Sequence, residues 1–302
     1  MPNKVPLLMN GGVSFAATTP LWYTLQWDNK ICHTGNRKKT HWLTILQFME
    51  AEKYGYKEYV DQNGRTWHDW ARKHQQTPFE PPSTSKPAFL QKSTFTREEE
   101  IELYSLPTSL EKYIEYFTRH YHNLNGEYKY VADFSNKICC LHPEFLMDIR
   151  DRMLEAFDIK VTLIFRDPVR RIWSNCKCNM DKVFRKSADK KPQWHYDRMY
   201  QYHVDAWGEE NVYPIIMEDV WQDPSGLADF LDVKIDKMHR NCYWPERGMD
   251  IPKYEWLRDQ WQWEVQPVPY DYLREKLDFL YVNFEKKFGY IPKEWCKREF
   301  DI

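Results

Sequence analysis

The chain has 302 residues and sets 43 Lys plus Arg against 45 Asp plus Glu, for a formal charge of −2. That near-balance, with a pI near 6.6, excludes the globally basic footprint of a dedicated nucleic-acid binder, so any anion must be held by a local cluster. An aromatic fraction of 17% excludes disorder over most of the length, and a mean hydropathy of −0.79 describes a soluble protein able to bury a large core.

The first element is the apolar run Val5–Met9, closed by Asn10-Gly11-Gly12, read as a strand over Val5–Val13 and a turn. It is too short for a signal-peptide core, and nothing approaches the roughly 18 apolar residues that span a bilayer. The seven cysteines include no CxxC pair, so the expectation is reduced thiols in a cytoplasm, without a disulfide scaffold or a metal. Two histidine pairs, His120 with His122 and His195 with His203, lack a plausible third ligand.

Thr18–Trp27 reads as a helix with Pro20 in its first turn, and His41–Ala51 as another. Residues 53–110 form an inserted helical and Pro-rich region. Pro78, Pro81, Pro82 and Pro87 make Thr77–Phe95 an extended crossing, and Thr96 with Glu99 and Thr108 with Glu111 are capping-box patterns. Tyr128–Phe134 is a second strand. A helix from Pro143 to Phe157 carries one apolar face of Phe145, Ile149, Met153 and Phe157. Lys160–Phe165 and Asn211–Met217 are two further strands, and Leu273, Leu277, Leu280, Phe284 and Phe288 repeat the helical signature near the C-terminus. This alternation predicts a three-layer α/β/α fold with a central, mainly parallel sheet. Because strands fall on both sides of the insertion, residues 1–302 read as a single domain.

The most informative segment is Val161–Phe165 followed by Arg166-Asp-Pro-Val-Arg-Arg-Ile-Trp-Ser174. A buried strand ends, Asp167 is placed to cap a helix, and Pro168 suits that helix's first position. Arg166 then sits at the carboxyl end of a strand, where open α/β sheets bind ligands. Arg170 and Arg171 share a helix face with Ser174, and a guanidinium with a hydroxyl is a phosphate grip.

The segment resembles the 3′-phosphate motif of sulfotransferases that use 3′-phosphoadenosine 5′-phosphosulfate (PAPS), through Arg166, Asp167, Pro168, Arg171 and Ser174. Ser14–Thr19 is similar to that family's phosphosulfate loop, with Thr18 and Thr19 matching. Met217-Glu-Asp-Val220, Asp223-Pro224 and Phe230-Leu231 resemble its late strand and helix. Tyr130–Ser135 resembles its Ser-bearing middle strand, and Arg247-Gly248 its late loop. The resemblance implies the P-loop-like sulfotransferase fold, PAPS as co-substrate without a metal, and nucleotide contacts from Ala16, Ala17, Thr18, Thr19, Arg166, Ser174, Arg247 and Gly248. Where the family's loop has lysine and glycine, this chain has Phe15 and Ala17. Lys39 stands where many relatives carry a glutamate base. One reading assigns the missing positive charge to Lys38 or Lys39 and the base to His41; the other leaves these as solvated charges and a helix-start histidine.

The implied activity is sulfuryl transfer to a hydroxyl or amine of a small-molecule or glycan acceptor. The basic run Lys182–Lys191 is either an attractor for such an acidic acceptor or a solvated face. Of the tryptophans, Trp194, Trp207, Trp221, Trp244, Trp256, Trp261 and Trp263 are assigned mainly to core and interface packing, with sugar stacking as the other use. A catalytically degenerate nucleotide-binding protein of the same fold is the rival reading. A P-loop kinase is disfavoured, because no GxxxxGK[ST] occurs. No nucleic-acid or membrane partner is expected, and the oligomeric state stays open.

Overall fold

The structure, a computed structural model, describes residues 4–12, 18–35, 40–50, 53, 109–171, 195–236, 238 and 270–296. Five strands, β1 (Val5–Gly12), β2 (Cys32–His33), β3 (Tyr130–Asp133), β4 (Phe157–Phe165) and β5 (Val212–Ile216), make one sheet in the order β2-β3-β1-β4-β5. Every neighbouring pair is parallel. Leu7, Leu8 and Met9 of β1, Val131 and Ala132 of β3, and Val161, Leu163 and Phe165 of β4 are fully buried. That is why these strands are continuous apolar runs rather than alternating ones: both faces of a parallel sheet are covered.

The helices are α1 (Thr18–Tyr23), α2 (Trp42–Met49), α3 (Leu110–Asn123), α4 (Pro143–Ala156), α5 (Tyr196–Trp207), α6 (Met217–Val220), α7 (Ser225–Leu231) and α8 (Tyr270–Phe288). The connection from β1 passes β3 to reach β2, opposite in direction to those that lead onward to β3, β4 and β5. Right-handed crossovers therefore set α1 on one face and α3, α4 and α5 on the other, where α3 touches α4, α4 touches α5 and α5 touches α8. The expected three-layer α/β fold is the observed one.

Local differences have identifiable causes. The helix expected over Thr18–Trp27 is α-helical only to Tyr23 and continues as a π-helical turn, Thr24–Asp28. The Asn29 backbone N–H and side-chain amide both donate to the Thr24 carbonyl, at 3.2 and 2.7 Å, which closes the wider turn. The cap of α3 is Ser109 rather than Thr108: its Oγ accepts from the Lys112 backbone N–H at 3.2 Å. Phe157 begins β4 instead of ending α4, and β3 starts at Tyr130 rather than Tyr128. The two-residue strand β2 is too short to leave a period in the sequence. The capping box at Thr96, the Pro-rich crossing and the basic run lie outside the described residues. Trp207 is a core residue, 2% exposed.

Candidate functional site

The carboxyl edge of the sheet gathers described residues from three of the motifs, Thr18, Ser135 and Arg166. β1 and β4 are neighbours with Gly12 in register with Ile164, so their carboxyl ends lie side by side. A side chain at Gly12 would put its Cβ 2.6 Å from Thr18 Cγ2. The start of α1 is thus folded back onto the strand end, where the absence of a side chain admits it. Thr18 is buried there, and Thr19 follows it in α1.

On the neighbouring strand, Arg166 follows β4 and Asp167 caps the turn that starts at Pro168. Asp167 Oδ1 accepts from the Val169 and Arg170 backbone N–H groups, at 2.7 and 3.2 Å, which satisfies donors that a helix start leaves open. Three distant side chains bond this turn directly, and a fourth holds one of them. Tyr281 Oη donates to Asp167 Oδ1 at 2.8 Å. Glu218 Oε1 accepts from the Asp167 backbone N–H at 3.1 Å, while Trp295 Nε1 donates to Glu218 Oε2 at 2.9 Å. Tyr196 Oη donates to the Arg166 carbonyl at 2.9 Å. Burial raises the pKa of both the Asp167 and Glu218 carboxyls. The same burial lowers Arg166 from the usual guanidinium value, against the opposing pull of Glu218 and Asp167. Arg171, 4% exposed, lies over the Tyr196 ring at 5.5 Å and is part of the packing.

A second polar cluster stands beyond β1, where β3 ends. Asp133 is fully buried. Its Oδ1 accepts from the Ser135 backbone N–H at 2.9 Å and the Ser135 hydroxyl at 2.5 Å. Its Oδ2 accepts from Thr40 Oγ1 at 3.0 Å and Tyr113 Oη at 3.3 Å. Burial raises the Asp133 pKa, against these four hydrogen bonds. Ser135 Oγ in turn accepts from the His41 backbone N–H at 2.7 Å. His41 adopts φ 54°, a left-handed conformation uncommon for a residue with a side chain, and its carbonyl accepts the first bond of α2, from the Ile45 N–H at 2.9 Å. The Asp133–Ser135–Thr40 network holds that backbone, leaving the His41 ring half-buried.

Thr18, Arg166 and His41 thus follow or flank the ends of β1, β4 and β3, three adjacent strands. Two strand spacings, roughly 10 Å, separate the β3 end from the β4 end. Ala16, Ala17, Lys38, Lys39, Ser174, Arg247 and Gly248 lie outside the described residues. The sequence reading did not assign roles to Asp133, Tyr281 and Trp295. An acidic residue inside the apolar run Tyr130–Phe134 was a visible signal for Asp133; the other two act across more than 75 residues of chain and leave no local trace. Among the described residues no group of His, Cys, Asp and Glu is arranged to hold a metal ion, and no helix is long and apolar enough to cross a membrane.

The architecture has solved counterparts. A sulfotransferase from Alicyclobacillus acidocaldarius superimposes with a TM-score of 0.52 at 18% identity, covering 97% of this chain and 99% of that one. The sulfotransferase domain from the olefin synthase of Synechococcus PCC 7002 gives 0.50 at 15% identity, over 97% and 98% of the two chains. The chain has the fold of these sulfotransferases. No protein-family model matches the sequence, and no curated protein matches it.

Proposed function

We propose that this chain is a sulfotransferase that moves a sulfuryl group from PAPS to a hydroxyl or amine of an acceptor. The observation that carries the reading is the fixed position of Arg166: a cation that follows the carboxyl end of β4, on the strand next to β1 and the helix start at Thr18, in a fold shared with sulfotransferases. Such a cation suits the 3′-phosphate of the nucleotide. Backbone N–H groups where α1 begins suit the 5′ end. The His41 ring serves as base: the acceptor oxygen attacks sulfur in line, its proton passes to the imidazole, and 3′-phosphoadenosine 5′-phosphate departs with the electron pair of the broken S–O bond. Little covalent chemistry is asked of the protein, only positioning and charge. Lys38 or Lys39 supplies the charge that Phe15 lacks.

Phe15 also favours a second reading, a nucleotide-binding protein of this fold without turnover. Two measurements decide. A thermal-shift titration with 3′-phosphoadenosine 5′-phosphate is expected to raise Tm with ligand concentration, and no shift at millimolar nucleotide would sink both readings. Transfer of labelled sulfate from PAPS to a panel of hydroxyl and amine acceptors, glycans included, then separates the enzyme from the binding protein.

A further inference from the structure

The 3-10 turn Asn136–Cys140, which follows β3, sets two adjacent thiols side by side. Cys139 Sγ and Cys140 Sγ are 3.4 Å apart. Cys139 is buried, with its thiol 3.1 Å from the Asn136 carbonyl, whereas Cys140 is partly exposed. Both are free thiols, and an S–S bond of about 2.0 Å needs the sulfurs to approach by roughly 1.4 Å.

The two sulfurs are not equivalent. The hydrogen bond between them lowers the Cys140 pKa, helped by the charges of Lys137 and Arg171 against the cost of burial. The same bond, with burial, raises that of Cys139. By contrast, Cys32 is a buried thiol that desolvation alone pushes up, which is the inert case. Reactivity follows the thiolate and its exposure, and here both fall on Cys140 with a second thiol in reach.

We propose that Cys139 and Cys140 are a two-electron redox site, oxidised by a peroxide to a vicinal disulfide. The Cys140 thiolate attacks one peroxide oxygen and breaks the O–O bond. This leaves a sulfenic acid on Cys140 and releases the other oxygen as hydroxide or alkoxide. Cys139 then attacks the Cys140 sulfur, the S–S bond forms, the S–O bond breaks, and the Cys139 proton leaves with the oxygen as water. A dithiol reductant reverses the step by exchange. The site does not depend on the sulfotransferase reading. It does touch the same framework: a side chain at Gly11 would meet the Cys139 backbone N at 2.8 Å, and His203 Nε2 lies 3.1 Å from the Ile138 carbonyl.

The test uses the full chain and hydrogen peroxide, with remaining thiols blocked by iodoacetamide before digestion. Trypsin cuts after Lys137 and Arg150, releasing a peptide, 138–150, that holds both cysteines and no other. The expected product is this peptide lighter by two hydrogen atoms and without alkylation, restored to a doubly alkylated form by dithiothreitol. Met147, exposed in the same peptide, gains oxygen independently and gauges the oxidant. Cys139→Ser should stop at a Cys140 sulfenic acid that dimedone traps, and Cys140→Ser should leave Cys139 unoxidised. The proposal is overturned if both thiols still alkylate at a dose that oxidises Met147. It is equally overturned if either cysteine links to another peptide, or if Cys139 reacts as fast without Cys140 as with it.

Discussion

The Tyr281 hydroxyl donates to the Asp167 carboxylate at 2.8 Å across 114 residues of sequence. It ties the middle of α8 to the turn that carries Arg166, and an Arg274 guanidinium lies over the same ring at 3.3 Å. The cation at the carboxyl edge of β4 is therefore positioned by the C-terminal part of the chain as much as by its own strand. Trp295 extends this through Glu218.

Tyr281→Phe removes the donor and keeps the ring. Asp167 retains its two capping N–H bonds, so the loss should be about 1.5–3 kcal/mol, the range for a hydrogen bond to a charged group. Differential scanning calorimetry should show a Tm lower by a few degrees with an unchanged fold. Affinity for 3′-phosphoadenosine 5′-phosphate should weaken too, because the turn beneath Arg166 loosens. An unchanged Tm would mean that the hydroxyl is equally well served by water.

Arg166→Ala should weaken 3′-phosphoadenosine 5′-phosphate about tenfold or more, since a charge-assisted hydrogen bond contributes roughly 1.5–3 kcal/mol. Adenosine 5′-phosphosulfate lacks the 3′-phosphate, and its affinity should barely respond. Calorimetric titration of both ligands makes the comparison. Equal losses would assign Arg166 to another part of the nucleotide.

His41→Ala and Lys39→Ala separate the base from the charge. With an acceptor in hand, His41→Ala should lower kcat by roughly a hundredfold or more, the scale of general base catalysis, while nucleotide affinity stays near that of the unaltered chain. Lys39→Ala should lower kcat as well and also weaken PAPS. Asp133→Asn is the control for the scaffold: it disturbs a carboxylate holding four hydrogen bonds and should lower stability by on the order of 2 kcal/mol. Unchanged rates in both His41→Ala and Lys39→Ala would move the chemistry to other residues.

Gly12→Ala introduces a methyl group 2.6 Å from Thr18 Cγ2 and 3.4 Å from Ile164 Cβ. Overpacking of this kind costs about 1–3 kcal/mol, and it should displace the start of α1, weakening nucleotide binding along with stability. Thr18→Ser removes the opposing methyl. The double variant should recover part of both losses, read by thermal shift with and without nucleotide. No recovery would place the strain elsewhere.

Much of this was legible in the sequence because burial on both sides of a parallel sheet leaves continuous apolar runs. Val5–Gly12, Phe157–Phe165 and Val212–Ile216 are observed within a few residues of their expected spans. The Asp167 cap was legible for a different reason: capping is a local bond, and the Asp-Pro pair announces it. Tyr281, Trp295 and the Asp133 network were not, since each acts through a contact made only when distant elements pack. Ser109 displaced Thr108 as the cap because two hydroxyl residues stood side by side and only helix geometry chooses between them. The two residues of β2 lie in the sheet through pairing with β3, with no pattern of their own.

Acid sensitivity should trace to two buried histidines, His203 and His120. His203 sits between Trp207 Nε1, which donates to its Nδ1 at 3.2 Å, and the Ile138 carbonyl, 3.1 Å from its Nε2. That arrangement fits the neutral ring, and burial pushes its pKa down to about 4. His120, beside His33, is pushed down to about 3 by burial and by the neighbouring ring. In the unfolded chain both titrate near 6.5. Between pH 6.5 and about 4 the unfolded state therefore binds protons that the folded state refuses, so stability falls as pH falls. The slope is about 1.4 kcal/mol per pH unit for each histidine. Asp133, Asp167 and Glu218, whose pKa values burial raises, act in the opposite sense and offset part of the loss. His203→Gln keeps an amide N–H for Ile138 and an oxygen for Trp207 but cannot titrate. Urea unfolding at pH 7, 6 and 5 should show the variant losing about 1.4 kcal/mol less per unit than the unaltered chain below pH 6.5. Any uniform cost of the substitution displaces the whole curve and leaves that difference in slope intact; identical slopes would mean that His203 takes up its proton at the same pH in the folded protein as in the unfolded chain.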